Sequence, residues 1–346
     1  MMARPPASDA PSVSVIVPAR NEEASLESCL ASLASQTGVS FEIIVVDDGS
    51  TDRTRAIAQS FTGIRIVDPP SLPPGWTGKN NAVTAGAARA RGEWLLFTDA
   101  DTVHLSGSLS RALAEARQQQ AALLSYSPEQ EVHSLLEKAI MPVIFAELAS
   151  TYRPSQVSNP NSGAAAANGQ YLLVSRDAYD AVGGHAAVAT SLLEDVALAR
   201  ALKKSGRRIF FRYGADAVRT RMYRSFAQLR EGWTKNLALL FPTAGQLALL
   251  RLVEFLLIVG SAAMGFAFLW SGRIAVAALS GAVFAITFVL FLRRIRKAHF
   301  AWSANLLALF GLPLFSYLLW RSKLYYRKGS VSWKGRAYKA YSSAAH

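Results

Sequence analysis

Four apolar runs alternate with helical segments along residues 12–97 of the chain. The runs are rich in β-branched side chains, which is typical of buried strands, and the segments between them have helical spacing or begin with helix-capping residues. No two-residue hairpin signal lies between consecutive runs. In chain order the runs are SVSVIV, FEIIVV, IRIV and EWLLF. Strands that are joined by helices predict an α/β fold with a parallel sheet covered on both faces.

Carboxylate pairs follow two of these runs, and a third pair opens a later helical segment. In chain order the pairs are Asp47–Asp48, Asp99 with Asp101, and Glu194–Asp195. Ligands of open α/β sheets bind beyond the carboxyl ends of the strands, where carboxylate oxygens suit Mg²⁺ or Mn²⁺ bridging a diphosphate. The three pairs therefore predict a site for a nucleotide diphosphate and its metal. Taken alone, Asp99 and Asp101 would also be typical of a capped turn.

The positive charge of the chain is concentrated in its last third. The formal net charge is +13, yet the residues from Phe255 onward contain twelve Lys and Arg and no Asp or Glu. The preceding residues contain 25 basic and 24 acidic groups. Basic residues beside apolar segments are typical of the cytoplasmic face of a membrane with anionic lipid. This distribution argues against nucleic acid as a partner.

Two apolar segments, residues 252–270 and 274–292, are each about nineteen residues long, which is enough to cross a hydrocarbon core of about 30 Å. A third segment, 303–320, is interrupted at Gly311–Pro313. A third crossing would place the basic aromatic tail, 321–346, on the side opposite to the sheet domain, against the positive-inside rule. We therefore expect the third segment to re-enter the membrane, with a third span as the alternative.

These features divide the chain into a leader, a sheet domain and a membrane region. Residues 1–11 contain no apolar segment of the signal-peptide type and are expected to form a disordered leader. The sheet domain is expected to span residues 12–235, and the membrane region residues 236–346. An apolar helix at 134–150 fits either the core of the domain or a membrane surface.

Cysteine and histidine show no pattern typical of a metal site. The single cysteine, Cys29, cannot form an internal disulfide and is expected to be a small buried residue. The histidines His104, His133 and His185 are scattered along the chain. His185 follows two glycines near a predicted active-site loop, and we expect its side chain to be exposed to solvent.

Five segments of the chain resemble the family 2 glycosyltransferases, which have a GT-A fold and use nucleotide-sugars. They lie between about residues 12 and 215, in the family's order: SVSVIVPARNE, IIVVDDGSTD, GKNNAVTAGAARARGEWLLFTDADT, NGQYLLVSRDAYDAVGG and LLEDVALARALKKSG. The C-terminal part, which contains VSWKGRAY, is similar to members that act on ceramide-type, hopanoid-associated and carotenoid lipids. The resemblance implies a Rossmann-like mixed sheet followed by a helical transmembrane region.

The resemblance also implies a donor site at the carboxyl ends of the strands. The nucleoside, most commonly uridine in this family, would lie against Pro18, Glu22 and Asp48. Asp47 would belong to the same site, unless its side chain faces the core side of the turn. Lys79 occupies the position at which the family places a cation near the diphosphate, and the alternative is a solvated lysine at a helix start.

The remaining roles concern the metal, the base and the acceptor. By resemblance, Asp99 and Asp101 would face the ribose, the diphosphate and a bound Mg²⁺ or Mn²⁺, with Asp101 as the direct metal ligand. Asp195 would be the general base, and Glu194 its partner at the helix start. Asn168 would shape the loop around the donor sugar or the acceptor. One base opposite a metal-held leaving group implies inversion of the anomeric centre.

One departure from the family pattern concerns the acceptor. Many membrane-bound members have Gln-x-x-Arg-Trp after the third acidic pair, whereas this chain has QLREGW, with Gly232 in place of the arginine. Trp233 could still form the acceptor platform, and Arg230 could reach the diphosphate. An amphipathic helix at the membrane surface is an equal alternative. The altered motif argues against a processive polysaccharide synthase.

Together these implications predict an inverting hexosyltransferase that moves one sugar from a nucleotide-sugar, expected to be a UDP-sugar, to the hydroxyl group of a membrane lipid. Its catalytic domain would face the cytoplasm at the inner membrane, attached by a multi-pass C-terminal region. Two alternatives stay open. The acceptor could be a polyprenyl phosphate, which needs no base, or the protein could be a non-catalytic membrane scaffold that binds sugar-nucleotides.

Overall fold

The computed structural model describes residues 10–333 and 336–339, and the chain divides into two compact units. The first unit contains the residues up to Gln130 together with Pro154–Arg221. The second contains Glu131–Arg153 and the residues from Met222 onward. Segment 131–153 therefore interrupts the first unit in sequence and belongs to the second. Outside the described residues lie 1–9 of the predicted leader, and 334–335 and 340–346 of the predicted tail.

The strands of the first unit comprise one large sheet and one small sheet. In chain order they are β1 (Val13–Ala19), β2 (Phe41–Asp47), β3 (Ile64–Val67), β4 (Trp94–Phe97), β5 (Thr102–His104), β6 (Leu123–Ser127), β7 (Glu129–Gln130), β8 (Leu172–Ser175), β9 (Ile209–Tyr213) and β10 (Val218–Thr220). The large sheet has the order β3-β2-β1-β4-β8-β6-β9, and the small sheet has the order β5-β10-β7.

The four predicted strands form the parallel half of the large sheet. β2 and β4 flank β1, β3 lies beyond β2, and all three pairings are parallel. β8 is antiparallel to β4 and to β6, and β9 is parallel to β6, so the whole sheet is mixed. The predicted mixed α/β sheet is confirmed.

The helices of the described residues flank the large sheet in the first unit and form a bundle in the second. In chain order they are α1 (Leu26–Ala34), α2 (Thr54–Gln59), α3 (Gly78–Arg89), α4 (Ser108–Gln118), α5 (Leu135–Thr151), α6 (Pro154–Ser158), α7 (Arg176–Ala181), α8 (Glu194–Lys204), α9 (Phe226–Leu240), α10 (Ala244–Trp270), α11 (Ile274–Ile295) and α12 (Trp302–Arg327). Helices α5 and α9–α12 belong to the second unit.

The alternation of side chains along β1 explains why its whole apolar run is buried. Val15 and Val17 pack in one core cluster with Leu30 of α1. Ile16 points to the other face, where it contacts Gly86 of α3. Because a strand with helices on both faces has no solvent side, nearly every residue of the run is apolar.

The small sheet fixes the segment that follows the acidic pair after β4. β5 begins directly after Asp101, and its Thr102 pairs with Thr220 of β10 in an antiparallel register. The Thr220 hydroxyl donates a hydrogen bond of 3.0 Å to the backbone oxygen of Asp101. The chain is therefore held on both sides of Asp101, by β4 before it and by β5 after it.

The second unit contains three long apolar helices that could cross a membrane: Ala244–Trp270, Ile274–Ala298 and Trp302–Arg327. The first two contain the predicted spans, and only 11% and 17% of their most apolar windows are buried. For the third helix this share is 50%, because α12 packs against other helices of its unit.

The break predicted at Gly311–Pro313 is wrong, since α12 continues through these residues as one helix. Pro313 removes one backbone donor, but neighbouring helices stabilise an apolar helix on both sides of such a residue. α5 packs in the same apolar cluster of the second unit, where Ile140, Val143 and Ile144 are fully buried. Segment 134–150 was expected to lie either in a core or on a membrane surface. These three residues lie in a protein core.

Four charged side chains form an ion-pair cluster inside the second unit. Glu254 of α10 lies 2.9 Å from Nη1 of Arg251 and 2.6 Å from Nη2 of Arg294, measured from its Oε2. Glu147 of α5 accepts hydrogen bonds from both arginines. The side chains are mostly buried, and two positive charges balance two negative ones. The single acid of the first predicted span is therefore paired.

We expect Gly311→Ala to destabilise the helical unit by about 1–3 kcal/mol, because α12 crosses α5 at this glycine with no room for a side chain. A Cβ at Gly311 would lie 2.0 Å from the backbone oxygen of Ala139. The matched control is Gly281→Ala in α11, where a Cβ would meet no described atom within 4 Å. Thermal unfolding of both variants in detergent measures the difference. Equal unfolding temperatures would contradict the close crossing.

Candidate functional site

The carboxyl ends of β1, β2 and β4 lie at one edge of the large sheet. The register pairs Ala19, the last residue of β1, with Asp47, the last residue of β2. Phe97 ends β4, and its neighbour in the sheet is Ile16 of β1. Because these strands are parallel, the segments that follow them meet at the same edge, where open α/β sheets bind ligands.

The two carboxylates after β2 have different surroundings. Asp47 is 4% exposed; its Oδ1 accepts a hydrogen bond of 3.0 Å from the Ser50 amide, and its Oδ2 lies 3.3 Å from Nη1 of Arg55. Asp48 is joined to Arg20, whose Nη1 donates to the Asp48 backbone oxygen at 2.6 Å and lies 3.9 Å from its carboxylate. Asp47 thus stabilises the turn, and Asp48 lies beside the loop after β1.

That loop is tied to the start of α2 by side chains that the sequence analysis did not single out. Asn21 has a positive φ of 53°, and its Oδ1 accepts a hydrogen bond of 2.8 Å from the Thr51 amide. The amide of Glu22 donates to the Thr54 hydroxyl at 2.7 Å, and a Glu22 carboxylate oxygen accepts from Ser25. These bonds fix the loop that contains Glu22 against the turn that contains Asp48.

Lys79 and two of the predicted acids form an ion-paired group. Nζ of Lys79 lies 2.7 Å from Oδ1 of Asp99 and 2.8 Å from Oε1 of Glu194. Burial alone would lower the pKa of Lys79, but the carboxylates of Asp99, Glu194 and Asp195 raise it well above its ordinary value. Lys79 is therefore a permanent cation, and it offsets the charge repulsion between these acids.

Asp195 follows Glu194 in the first turn of α8 and is oriented by two backbone amides. Its Oδ2 accepts a hydrogen bond of 2.8 Å from Gly169, and its Oδ1 accepts one of 2.8 Å from Val196. Burial, and then the charge of Glu194, raise the pKa of Asp195 to about 6, against the opposing effect of Lys79. A carboxylate with such a pKa can take up a proton near neutral pH.

Gly169 approaches this group so closely that a side chain there would crowd the charged atoms. A Cβ at Gly169 would lie 3.0 Å from Nζ of Lys79, 3.3 Å from Oε1 of Glu194 and 3.5 Å from Oδ2 of Asp195. Asn168 holds the preceding turn, since its amide donates to the Ser125 hydroxyl at 2.8 Å. Its side-chain oxygen accepts from the amide two residues later. Asn168 thus positions the Gly169 amide that binds Asp195.

Asn80 is a positioning residue that the sequence analysis missed. Its Nδ2 lies 3.0 Å from the carbonyl oxygen of Val188, 2.9 Å from that of Ala189 and 3.0 Å from that of Ser191. The side chain is fully buried. Because the three carbonyls belong to the loop before α8, Asn80 connects the helix that contains Lys79 to the loop that precedes the acidic pair. An asparagine in the first turn of a small-residue helix was the available signal.

A pocket at this edge brings several predicted residues together. It is lined by Pro18, Lys79, Val83, Phe97, Thr98, Asp99, Gly169, Leu172, His185, Glu194 and Asp195. Among the described residues, no three His, Cys, Asp or Glu side chains are grouped so that they could hold a metal ion by themselves. Asp99 lines the pocket, whereas Asp101 is not among its lining residues. Mg²⁺ is commonly bound by one or two carboxylates while substrate phosphates complete its shell, so the predicted metal role of Asp101 stays a prediction.

Arg230 and Trp233, the predicted acceptor residues, belong to the second unit. Trp233 is 2% exposed and packs edge-on against Phe145, with ring centroids 6.0 Å apart. The Arg230 guanidinium lies over the Phe226 ring at 5.7 Å. Gly232 explains the altered motif locally, because a Cβ there would lie 2.3 Å from Oη of Tyr223. The acceptor roles of Arg230 and Trp233 stay predictions.

Comparisons with known proteins show what the first part of the chain is similar to. Residues 14–140 match the family described as "Glycosyl transferase family 2". The chain is similar to the 4,4'-diaponeurosporenoate glycosyltransferase of Staphylococcus haemolyticus, with 33% identity over 232 residues, covering 66% of this chain and 61% of the relative. The corresponding protein of Staphylococcus aureus is 32% identical over 235 residues, covering 65% and 60%. The chain thus spans about three fifths of the length of these relatives.

A solved structure with the same fold is that of a mannosyltransferase from Pyrobaculum calidifontis in complex with GDP-Man and Mn²⁺. It superposes with a TM-score of 0.53 at 17% identity, covering 92% of this chain and 87% of the other. At this level of identity the likeness concerns the fold alone. The predicted GT-A fold and the predicted family resemblance are confirmed.

Proposed function

We propose that this chain, which contains a glycosyl transferase family 2 domain at residues 14–140, transfers a single sugar from a nucleotide-sugar to a membrane lipid with inversion. The observation that supports this most is the pocket in which a cation, Lys79, lies between Asp99 and Glu194, next to the raised-pKa carboxylate of Asp195. A diphosphate requires a cation, and a hydroxyl nucleophile requires a base. The Lys79 cation and the Asp195 carboxylate both line one pocket at the edge of the sheet where such sheets bind ligands.

Different residues of the site act on the leaving group and on the nucleophile. Lys79 binds the diphosphate of the donor, and Asp195 accepts the proton of the attacking hydroxyl. The Gly169 and Val196 amides occupy one lone pair on each oxygen of Asp195, so the carboxylate is oriented before the substrate binds. Pro18 lines the pocket, whereas Asp48 and Glu22 lie outside its lining; we propose that all three face the nucleoside and that this nucleoside is uridine. One base on the face opposite to the diphosphate accounts for inversion.

The carboxylates of Asp99 and Asp101 also suit a divalent cation that is bound together with the diphosphate. Asp101 would be its direct ligand, with Asp99 beside it, and substrate phosphate oxygens would complete the shell. Mg²⁺ or Mn²⁺ bound there would neutralise the negative charge that develops on the departing diphosphate. The bonds that hold the chain before and after Asp101 fix its backbone independently of the substrate, which supports this role for its side chain.

The acceptor is proposed to be a lipid because the chain contains three helices that could cross a membrane. The basic residues beside these helices support attachment to the inner membrane with the sheet domain in the cytoplasm. Attachment to the bilayer keeps an enzyme that uses a water-soluble donor at the surface where its acceptor is dissolved.

A second candidate acceptor is a lipid carboxylate rather than a lipid hydroxyl. The relatives are named for diaponeurosporenoate, which is a carboxylate. Such a nucleophile is already anionic at neutral pH, and the product would be a sugar ester. Asp195 would then have no proton to remove, just as for a polyprenyl phosphate.

One experiment tests the function and separates these acceptors. Membranes that contain the protein are incubated with radiolabelled UDP-sugars and GDP-mannose, and the lipids are extracted. We expect label in the lipid fraction with one UDP-sugar. Mild base releases sugar from an ester, mild acid releases it from a polyprenyl phosphate, and a glycoside survives both. Absence of labelled lipid and of donor turnover with every donor would favour the non-catalytic scaffold.

We expect kcat/KM for transfer to a hydroxyl acceptor to fall about tenfold per pH unit below about pH 6. A general base acts only when it is deprotonated, and the pKa of Asp195 is raised to about 6. Lowering the pH through this value therefore removes the active form. Initial rates measured between about pH 4.5 and pH 8 check this limb. A rate that stays constant down to pH 5 would contradict Asp195 as the base.

A further inference from the structure

His185 lies in the same pocket, and the expectation that its side chain is exposed is wrong. It belongs to a 3-10 turn at Gly184–Val188 that precedes α8. Its side chain is 2% exposed, yet it lines the pocket with Lys79, Glu194 and Asp195. Phe97 packs against the imidazole edge-on, with ring centroids 4.5 Å apart. A buried histidine among substrate-binding groups requires an explanation.

The hydrogen bonds of Tyr179 determine which imidazole nitrogen has the hydrogen. Its Oη accepts a hydrogen bond of 3.1 Å from the backbone amide of His185 and lies 3.0 Å from Nδ1 of the same residue. The phenol has one hydrogen, and among the described residues Nδ1 is its one acceptor within hydrogen-bond distance. We therefore assign Tyr179 as the donor to Nδ1, which places the hydrogen of the neutral ring on Nε2.

The ring is kept neutral and in one orientation. Burial lowers the pKa of His185 to about 4, despite the opposing charge of Glu194. A side chain at Gly184 would overlap the Tyr179 ring, since a Cβ would lie 2.4 Å from its Cε1. Gly184 thus allows the phenol to approach Nδ1 of His185. No described residue forms a hydrogen bond with Nε2, which leaves this N–H available to a ligand.

We infer that His185 donates a hydrogen bond from Nε2 to a hydroxyl group of the sugar that is transferred. This inference rests on the proposed function. The neighbouring cation Lys79 already suits the diphosphate, and the neighbouring carboxylate Asp195 suits the acceptor. The sugar lies between these two partners during transfer. A neutral donor is suited to a neutral hydroxyl, and its fixed tautomer makes His185 a residue that selects the donor sugar.

The test measures binding by calorimetry, so that it does not depend on turnover or on the acceptor. The protein is used as the full chain in detergent. The probes are UDP, the UDP-hexose that the wild type binds most tightly, and the monodeoxy analogues of that UDP-hexose. We expect His185→Phe, which keeps the aromatic contact with Phe97, to weaken UDP-hexose binding about tenfold and to leave UDP binding unchanged. One monodeoxy analogue should bind wild type and variant equally.

Tyr179→Phe supplies the second variant, because it keeps the ring and removes the hydroxyl that fixes the tautomer. We expect it to weaken UDP-hexose binding by a smaller factor, again without a change for UDP. Equal weakening of UDP and UDP-hexose, or of every monodeoxy analogue, would show a structural role and overturn the inference. If the wild type binds UDP but no UDP-hexose, the proposed function itself fails, which is a distinguishable result.

Discussion

Asp195→Asn is expected to reduce transfer to a hydroxyl acceptor by about 10²–10⁴-fold, the usual contribution of a general base. Asparagine has nearly the same shape, and its one side-chain oxygen can still accept the amide hydrogen bond that Gly169 donates, while the local bond from the Val196 amide is lost. We expect the pocket to keep its form. Asparagine cannot accept the proton of the nucleophile. We therefore expect kcat to fall while the affinity for UDP changes little. Radiolabelled transfer and calorimetry measure the two quantities separately.

The matched control for this variant is Asp177→Asn, an exposed aspartate of α7 whose carboxylate lies 2.9 Å from Nη2 of Arg207. It removes the same charge outside the pocket and should leave transfer unchanged. Loss of UDP binding in Asp195→Asn would show that this side chain holds the donor instead. Undiminished transfer would exclude the base and favour an acceptor that is already anionic, such as a lipid carboxylate or a polyprenyl phosphate.

Lys79→Met is the second substitution with a large expected effect. It keeps the length of the side chain but removes the cation that lies between Asp99 and Glu194. Losing one partner of such a charged hydrogen bond costs about 2–5 kcal/mol, so we expect UDP to bind at least about 30-fold more weakly. Calorimetric titration with UDP measures the loss.

The same variant has a second expected result that an unfolded or distorted protein would not show. The charge of Lys79 lowers the pKa of Asp195, so its removal should raise that pKa above about 6. The acid limb of the rate profile should therefore move to higher pH. The control is Lys204→Met, an exposed lysine at the end of α8. An acid limb at the wild-type pH would show that Lys79 does not act on Asp195.

Local patterns in the sequence were sufficient for the half of the sheet that contains the donor site. The β-branched runs of β1, β2 and β4 predicted buried parallel strands, and the acids after them predicted which edge binds a ligand. These features depend on residues close in sequence. The pairing of β8 with β4 and β6 is antiparallel and joins strands that are far apart in the chain, so no local pattern indicated it.

The errors also have physical reasons. Gly311 and Pro313 are helix breakers in isolation, but the packing of α12 against α5 needs a small residue at the crossing and keeps the helix continuous. His185, which follows two glycines near the predicted active-site loop, was expected to be exposed to solvent, and it is buried. The partner that buries it, Tyr179, is six residues earlier and becomes a neighbour only through the 3-10 turn.

The interleaving of the two units has a consequence for producing the protein. A soluble fragment made by stopping translation after Arg221 would still contain α5, whose Ile140, Val143 and Ile144 are buried in the other unit. Such a truncation would expose an apolar helix to water, and we expect the fragment to aggregate. For a water-soluble form of the first unit, we expect that residues 131–153 must be replaced by a polar linker that joins Gln130 to Pro154.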